Sequence, residues 1–282
     1  MRSYFNLYNL AIIIYLITFC WAQNLSFKDI AAQGSLNFIH DHGGSGEYYY
    51  VESMGSGVCI FDYDNDGDLD AYFPQSSPLP GWKKSVILEN KLFRNDDLEW
   101  TDVTSEAGVG DKSYSMGCAC GDYDNDGDID LYVTNFGKDI LYQNNGNGSF
   151  TDVTLELGID NHSMGMSAAF FDSDNDGFLD LYVTNYVDYS IDNNPECTSP
   201  FSIPQKKGEL FARSYWILMS FPLGVEDKFY YNKNGKFIDR SNRSGIGRYR
   251  LRGMGVVPGD VDNEEIWIFM WQMIKNEPFI HQ

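Results

Sequence analysis

Short apolar runs recur along the chain between clusters of acids and turn residues. Leu131-Tyr132-Val133-Thr134 and Leu181-Tyr182-Val183-Thr184 are β-branched and aromatic and too short for a helix, so they predict strands. A second strand recurs as Leu92-Phe93-Arg94-Asn95, Leu141-Tyr142-Gln143-Asn144 and Phe229-Tyr230-Tyr231-Asn232, with turn pairs such as Asn147-Gly148 and Asn234-Gly235 after it. A third block opens on an aromatic: FKDIAAQG from Phe27, WTDVTSEAGV from Trp100, FTDVTLELGI from Phe150 and FIDRSNRSGI from Phe237. A fourth is slim, with Gly57, Gly117, Ser167 and Gly255 in one register, followed by Val58-Cys59, Cys118-Ala119, Ala168-Ala169 and Val256-Val257. A strand restricted to small residues at one place in every copy is expected to be crowded by its copies around an axis.

The period of these blocks decides the fold class. From the aromatic to the first Asp of the next acidic loop is 22 residues for Trp100 to Asp122 and Phe150 to Asp172, and 23 for Phe237 to Asp260. The first copy is longer, 35 residues from Phe27 to Asp62, because Ile39 to Tyr50 is inserted. Each repeat reads as about four short strands joined by tight turns, and radially repeated four-stranded units are β-propeller blades. The expected fold is therefore all-β.

Three copies of one acidic loop lie inside the repeats: DYDNDGDLDAYF at 62–73, DYDNDGDIDLYVTN at 122–135 and DSDNDGFLDLYVTN at 172–185. Calcium takes six to eight oxygens at about 2.3–2.6 Å, and a nine-residue loop supplies most of them if carboxylates alternate with inward-folding backbone. The first copy offers Asp62, Asp64, Asp66 and Asp70, with the Asp68 carbonyl. The second offers Asp122, Asp124, Asp126 and Asp130, with the Asp128 carbonyl, and the third Asp172, Asp174, Asp176 and Asp180, with the Phe178 carbonyl. Gly67, Gly127 and Gly177 stand where the turn demands positive φ. Solvated Asp-Gly hairpin turns are the other reading of this composition. Against it, four converging carboxylates cost several kcal/mol at an effective dielectric of about 20 unless a cation neutralises them. These are not EF-hands, since that loop needs a bidentate Glu at position 12, where this chain has Phe73, Val133 and Val183.

The D-x-D-x-D-G-x-x-D loops, the F/W-x-D-V-T blocks and the opening FKDIAAQGSLNFIHDHGGSGEYYYVESMGSGVCIFDYDNDGD resemble the FG-GAP or VCBS repeat propellers, which are related to the integrin α-subunit headpiece. Among them the chain is most similar to the secreted ASPIC/UnbV family, the cartilage acidic protein-like proteins. The resemblance implies a propeller of integrin-α-like blades, of about seven with a C-terminal ASPIC/UnbV domain. The chain as given holds four to five blades at most, so the propeller is expected to be incomplete in it, with two sheet edges and apolar faces unpaired.

The ends and the composition narrow the setting. Residues 1–22 read as an export signal, with Arg2 before an apolar run from Leu10 to Trp21 and cleavage after Ala22. Cys20 as a lipid-attachment site is the alternative, disfavoured by bulky Phe19 before it. The run is too short to span a bilayer comfortably, and no other stretch is apolar enough, so no membrane span is expected. The mature protein, residues 23–282, is expected to be secreted or extracellular, or periplasmic or surface-bound in a bacterium, where millimolar calcium fills weak sites. A formal net charge of −21 excludes nucleic acid as a partner, since no basic groove is present.

Four cysteines remain after cleavage: Cys59, Cys118, Cys120 and Cys197. Cys118 and Cys120 share a strand face, but an i, i+2 pair lies near the Cα limit for a disulfide. They read as small core residues rather than a redox or metal pair, and calcium rather than sulfur is expected to hold the turns. Cys197 lies in the long insertion between Asn185 and Asp227. His40-Asp41-His42 is the one constellation that invites a zinc or catalytic reading, and it lacks a third ligand. Asn24, Asn147, Asn161 and Asn242 begin N-x-S triplets, glycan acceptors only in a eukaryotic host.

The fourth loop starts in register at Asp260-Val261-Asp262-Asn263 and then departs from the pattern. Residues 264–282 read as the product of a shifted frame: with a permitted choice of codons from Glu264 onward, one base restored in the Glu264 codon would yield DGDMDIYVAND, which completes a fourth loop and its strand. Two functions fit the whole. The first is a secreted, non-catalytic calcium-binding propeller module whose long loops, Ile39 to Tyr50 and Asn185 to Asp227, bind an extracellular protein or glycan. The second is the propeller part of a polysaccharide-acting enzyme, which would need a pocket with paired acid and base that the sequence does not identify.

Overall fold

The computed structural model describes residues 29, 35–192, 194, 224–248, 250–260 and 266–272, so the export signal and Cys197 lie outside the described residues. Residues 1–34 form one unit and residues 35–282 another, and everything below concerns the second.

The chain is all-β, built of several antiparallel sheets and consistent with a β-propeller-like fold. Sheet 1 comprises β1 (Cys59–Phe61), β2 (Asp70–Phe73), β3 (Lys91–Asp96) and β4 (Glu99–Asp102), paired in chain order. A single helical turn, α1 (Thr104–Ala107), leads to sheet 2: β5 (Ser115–Gly121), β6 (Asp130–Asn135), β7 (Ile140–Asn144) and β8 (Phe150–Asp152). Sheet 3 begins with β9 (Gly165–Phe171) and β10 (Asp180–Asn185). After β11 (Val225–Glu226) it is completed by β12 (Lys228–Asn232) and β13 (Phe237–Asp239). β11 pairs with β14 (Arg250–Leu251), and β15 (Gly253–Asp260) pairs with β16 (Ile266–Gln272). The predicted strands within the described residues form, including the aromatic blocks from Trp100, Phe150 and Phe237 as fourth strands β4, β8 and β13, while the block from Phe27 lies outside them.

Each acidic loop joins the first and second strands of its sheet. In sheets 1 to 3 the residue before the loop pairs with the ninth loop residue: Phe61 with Asp70, Gly121 with Asp130, Phe171 with Asp180. In the fourth repeat Gly259 pairs with Trp267 instead, one residue short of the others.

The sheets bury their faces on one another. Cys59, Phe61 and Tyr63 of sheet 1 share a core with Leu131, Val133, Tyr142 and Phe150 of sheet 2. Ala119, Tyr123 and Leu141 of sheet 2 meet Ala168, Leu181, Val183 and Phe237 of sheet 3, and Ala169, Phe171 and Phe229 of sheet 3 meet Val256 of β15. Tyr63 stacks on Phe150 at 6.3 Å, and Tyr123 meets Phe237 at 5.4 Å, so the aromatics of β8 and β13 pack on the sheet before their own. The slim first strands behave as the sequence implies. The Gly57 amide donates to the Met116 carbonyl at 2.9 Å, and a Cβ on Gly117 would stand 2.6 Å from the Met166 carbonyl oxygen, closer than real Cβ contacts come.

One expectation is overturned. Cys118 is not a free core residue: it is disulfide-bonded to Cys59 on the facing sheet, with Cα atoms 5.9 Å apart. The partners are 59 residues apart in sequence and meet only because first strands of neighbouring sheets lie side by side. Sulfur therefore staples sheet 1 to sheet 2. Cys120 stays unpaired, packed beside them, with burial raising its thiol pKa and keeping it protonated.

Candidate metal centres

Each loop curls by the same three hydrogen bonds. The position-6 glycine amide donates to the first Asp: Gly67 to Asp62 at 3.0 Å, Gly127 to Asp122 at 3.0 Å, Gly177 to Asp172 at 2.8 Å. The position-7 amides of Asp68, Asp128 and Phe178 donate to Asp66, Asp126 and Asp176, each at 2.9 Å. The position-2 amides of Tyr63, Tyr123 and Ser173 donate to the ninth-position Asp70, Asp130 and Asp180. The turn requires positive φ at two places: Gly67, Gly127 and Gly177 at +96°, +95° and +90°, as expected, and Asn65, Asn125 and Asn175 near +60°. Asparagine tolerates the left-handed region better than other side chains, which explains the fixed D-N-D-G core.

The carboxylates converge. Asp62, Asp64 and Asp66 each present a ligand atom within 4.8 Å of the others, as do Asp122, Asp124 and Asp130, and Asp172, Asp174 and Asp176. Oxygens sharing one ion at about 2.3–2.6 Å lie no more than about 5 Å apart, so the spacing fits a hard divalent cation. Asp126 stands outside the second cluster, and Asp70 and Asp180 outside the first and third. A second observation agrees: Asp62 Oδ1, Asp64 Oδ1 and Asp124 Oδ1 are buried without a hydrogen-bond partner among the described residues, a costly state for a carboxylate oxygen that an ion relieves.

The ninth-position acids do more than the sequence suggested. Asp70, Asp130 and Asp180 are buried, and their second oxygens accept from the backbone amides of Asn95, Asn144 and Asn232 at 2.8, 2.9 and 2.7 Å. Each ties its loop to the third strand of its sheet. Two of those asparagines also reach across: the Asn144 side chain donates to the Tyr63 carbonyl at 2.8 Å and the Asn232 side chain to the Tyr123 carbonyl at 2.7 Å. Neighbouring loops touch as well, the Asn65 side chain donating to Asp128 Oδ1 at 2.6 Å and Asn125 to the Gly177 carbonyl at 2.8 Å. With no cation, burial raises the carboxyl pKa of Asp70 to about 6 and of Asp130 to about 8, and the neighbouring loop acids add to the rise. Burial likewise raises Asp64, Asp124 and Asp180, with neighbouring loop acids adding to each.

At the far end of the strands stands a set that sequence reading missed. Asp139 is buried, accepting from the Asn135 amide at 2.7 Å, the Tyr132 hydroxyl at 2.8 Å and the Asn161 side chain at 2.6 Å. Asp227 repeats this with the Asn185 amide at 2.7 Å and the Tyr182 hydroxyl at 3.0 Å. In sheet 1 Asn90 takes the place, accepting from the Gln75 amide at 2.6 Å and donating to the Tyr72 hydroxyl at 2.8 Å. The signal was a polar residue just before each third strand, in a gap of variable length that hid the alignment. Asn161, one of the N-x-S asparagines, is spent here and buried, so it is no glycan acceptor.

The remaining candidates resolve simply. His40 Nε2 lies 3.0 Å from Ser56 Oγ and 3.2 Å from Ser76 Oγ, Asp41 pairs with Lys84, and His42 stands 3.9 Å from Glu52. No zinc-like cluster forms there among the described residues. Within the inserted segment Ile39 and Tyr48 are exposed, whereas Tyr50 is buried and stacks near Tyr186.

With this geometry in view, comparison with known families is specific in one place: the model of the FG-GAP-like repeat matches residues 122–183, the second loop through the third. No curated protein matches the chain.

Proposed function

We propose that the chain is a secreted, non-catalytic calcium-binding module built as a β-propeller of FG-GAP blades, akin to the ASPIC/UnbV proteins, which binds an extracellular protein or glycan through its long loops. The observation that carries the reading is the threefold convergence of aspartates, with three buried oxygens in the first two loops that have no hydrogen-bond partner among the described residues. In each loop the carboxylates and the carbonyl of Asp68, Asp128 or Phe178 would hold the ion, which rigidifies the turn between first and second strands. The Cys59–Cys118 bond supports an oxidising compartment, since structural disulfides persist there and are rare in the cytosol. No helix among the described residues is long and apolar enough to cross a membrane.

Titration calorimetry of the chelator-treated protein should find about three calcium sites, and millimolar calcium should raise the melting temperature. Absence of both effects overturns the metal reading. A glycan array and a matrix-protein binding screen, run with and without calcium, test the partner.

A further inference from the structure

The first and second acidic loops have almost the same sequence and do not converge in the same way. DYDNDGDLD at 62–70 and DYDNDGDID at 122–130 differ only at Leu69 and Ile129. In the second loop the aspartates brought together are Asp122, Asp124 and the buried Asp130, whereas in the first they are Asp62, Asp64 and the exposed Asp66. Such a difference has its source outside the loops, in what each of them packs against.

One neighbouring position differs in every sheet. Arg94, Gln143 and Tyr231 stand just before Asn95, Asn144 and Asn232 on the third strands. Gln143 Nε2 donates to Asp124 Oδ2 at 2.6 Å, while Asp124 Oδ1 is buried without a hydrogen-bond partner among the described residues. A neutral donor thus fixes one oxygen of this carboxylate and leaves the other for the cluster. Arg94 turns away, with Nε and Nη2 both 3.0 Å from Asp96 Oδ2. The Tyr231 hydroxyl comes only to 3.4 Å from Asp176 Oδ2, and its ring lies under the Arg240 guanidinium.

We propose that Gln143 is a positioning residue for the second loop and makes it the tightest of the three cation sites, about tenfold tighter than the first. The proposal rests on the metal reading of the loops. Affinity of a calcium site follows the charge and the rigidity of its ligands. The first two loops carry the same aspartates, so rigidity separates them; the third has Phe178 where the others have Asp68 and Asp128. An outer donor that orients a metal ligand is worth about 10- to 100-fold in affinity, and an amide supplies it without bringing a positive charge to the ion.

Calcium chloride titrated into the full chain against a chromophoric chelator should show one step about tenfold tighter than the others. Gln143→Leu should weaken that step about 10- to 100-fold and leave the other two where they are. R94Q/D96N, which copies Gln143 and Asn145 of sheet 2 without changing net charge, should create a second tight step. This gain carries the test alone should Q143L fail to fold by circular dichroism. Three equal steps in the wild type, a folded Q143L that keeps the tight step, or no gain in R94Q/D96N overturns the proposal and leaves the metal reading standing. A wild-type chain that binds no calcium ends both.

Discussion

Strand β6 has a buried carboxylate at each end, and the two have different surroundings. Asp130 opens the strand beside Asp122 and Asp124, and Asp139 lies just past its other end at Asn135. Burial raises both pKa values, to about 8 and about 7. Beyond burial, Asp130 has like-charged neighbours that push it further, whereas Asp139 is surrounded only by donors: the Asn161 amide, the Asn135 backbone and the Tyr132 hydroxyl. An acid held by donors alone is part of the framework, whereas an acid held among acids is the one that the proposed cation would relieve. Sheet 1 sharpens the distinction, since the loop end keeps its acid as Asp70 but the far end carries Asn90 with the same backbone acceptor role. Hydrogen bonding is what the far end retains; charge is what the loop end retains.

The largest effect is expected at the loop end. Asp130→Ala removes the acceptor of two backbone amides, those of Tyr123 and Asn144, and should cost about 2–5 kcal/mol in calcium-saturated chemical denaturation. If the loss is under about 0.5 kcal/mol, Asp130 is not the tie between loop and third strand.

Next in size is a pH effect at the far end. The Asp139 carboxyl sits at about 7 in the fold against an ordinary 3.8, so the folded state holds the proton more tightly. Its contribution to stability is fully present below about pH 4 and is lost as pH rises through 7, up to ~4 kcal/mol in all. Asp139→Asn, which copies Asn90 of sheet 1, should flatten the fall in stability between pH 4 and 8. An unchanged pH slope would show that Asp139 ionises as freely in the fold as outside it.

Asp124→Ala should remove one calcium increment and leave the other loops. Stability gained from calcium at a hundredfold excess over Kd is about 2.7 kcal/mol per site, and that increment should vanish for one site while Asp139→Asn keeps all of them. Equal calcium shifts in the two variants would erase the contrast between the ends. Smallest is Tyr132→Phe, which deletes one donor to Asp139 and should cost about 1 kcal/mol at pH 8 and less at pH 5. A loss that did not depend on pH would assign the hydroxyl to packing rather than to the carboxylate.

Strands, turns and loop carboxylates were legible because each is decided within about a dozen residues. The D-N-D-G turn carries its own left-handed positions, the aromatic and β-branched runs their own extended backbone, and ligand spacing is a property of one loop. Even the crowding at Gly117 could be read, since the same small residue recurs in register. Asp130 was legible as a candidate ligand but not as a hub, because its partner Asn144 lies on another strand.

The sequence by itself determined an all-β repeat, three acidic loops and the order of their oxygens. Only the tertiary structure decided which residues of different sheets meet: Cys59 with Cys118, Asn144 with the Tyr63 carbonyl, Tyr50 with Tyr186. The physical reason is that local backbone preference fixes each strand, while contact between sheets depends on the rotation from one repeat to the next, which no single repeat encodes.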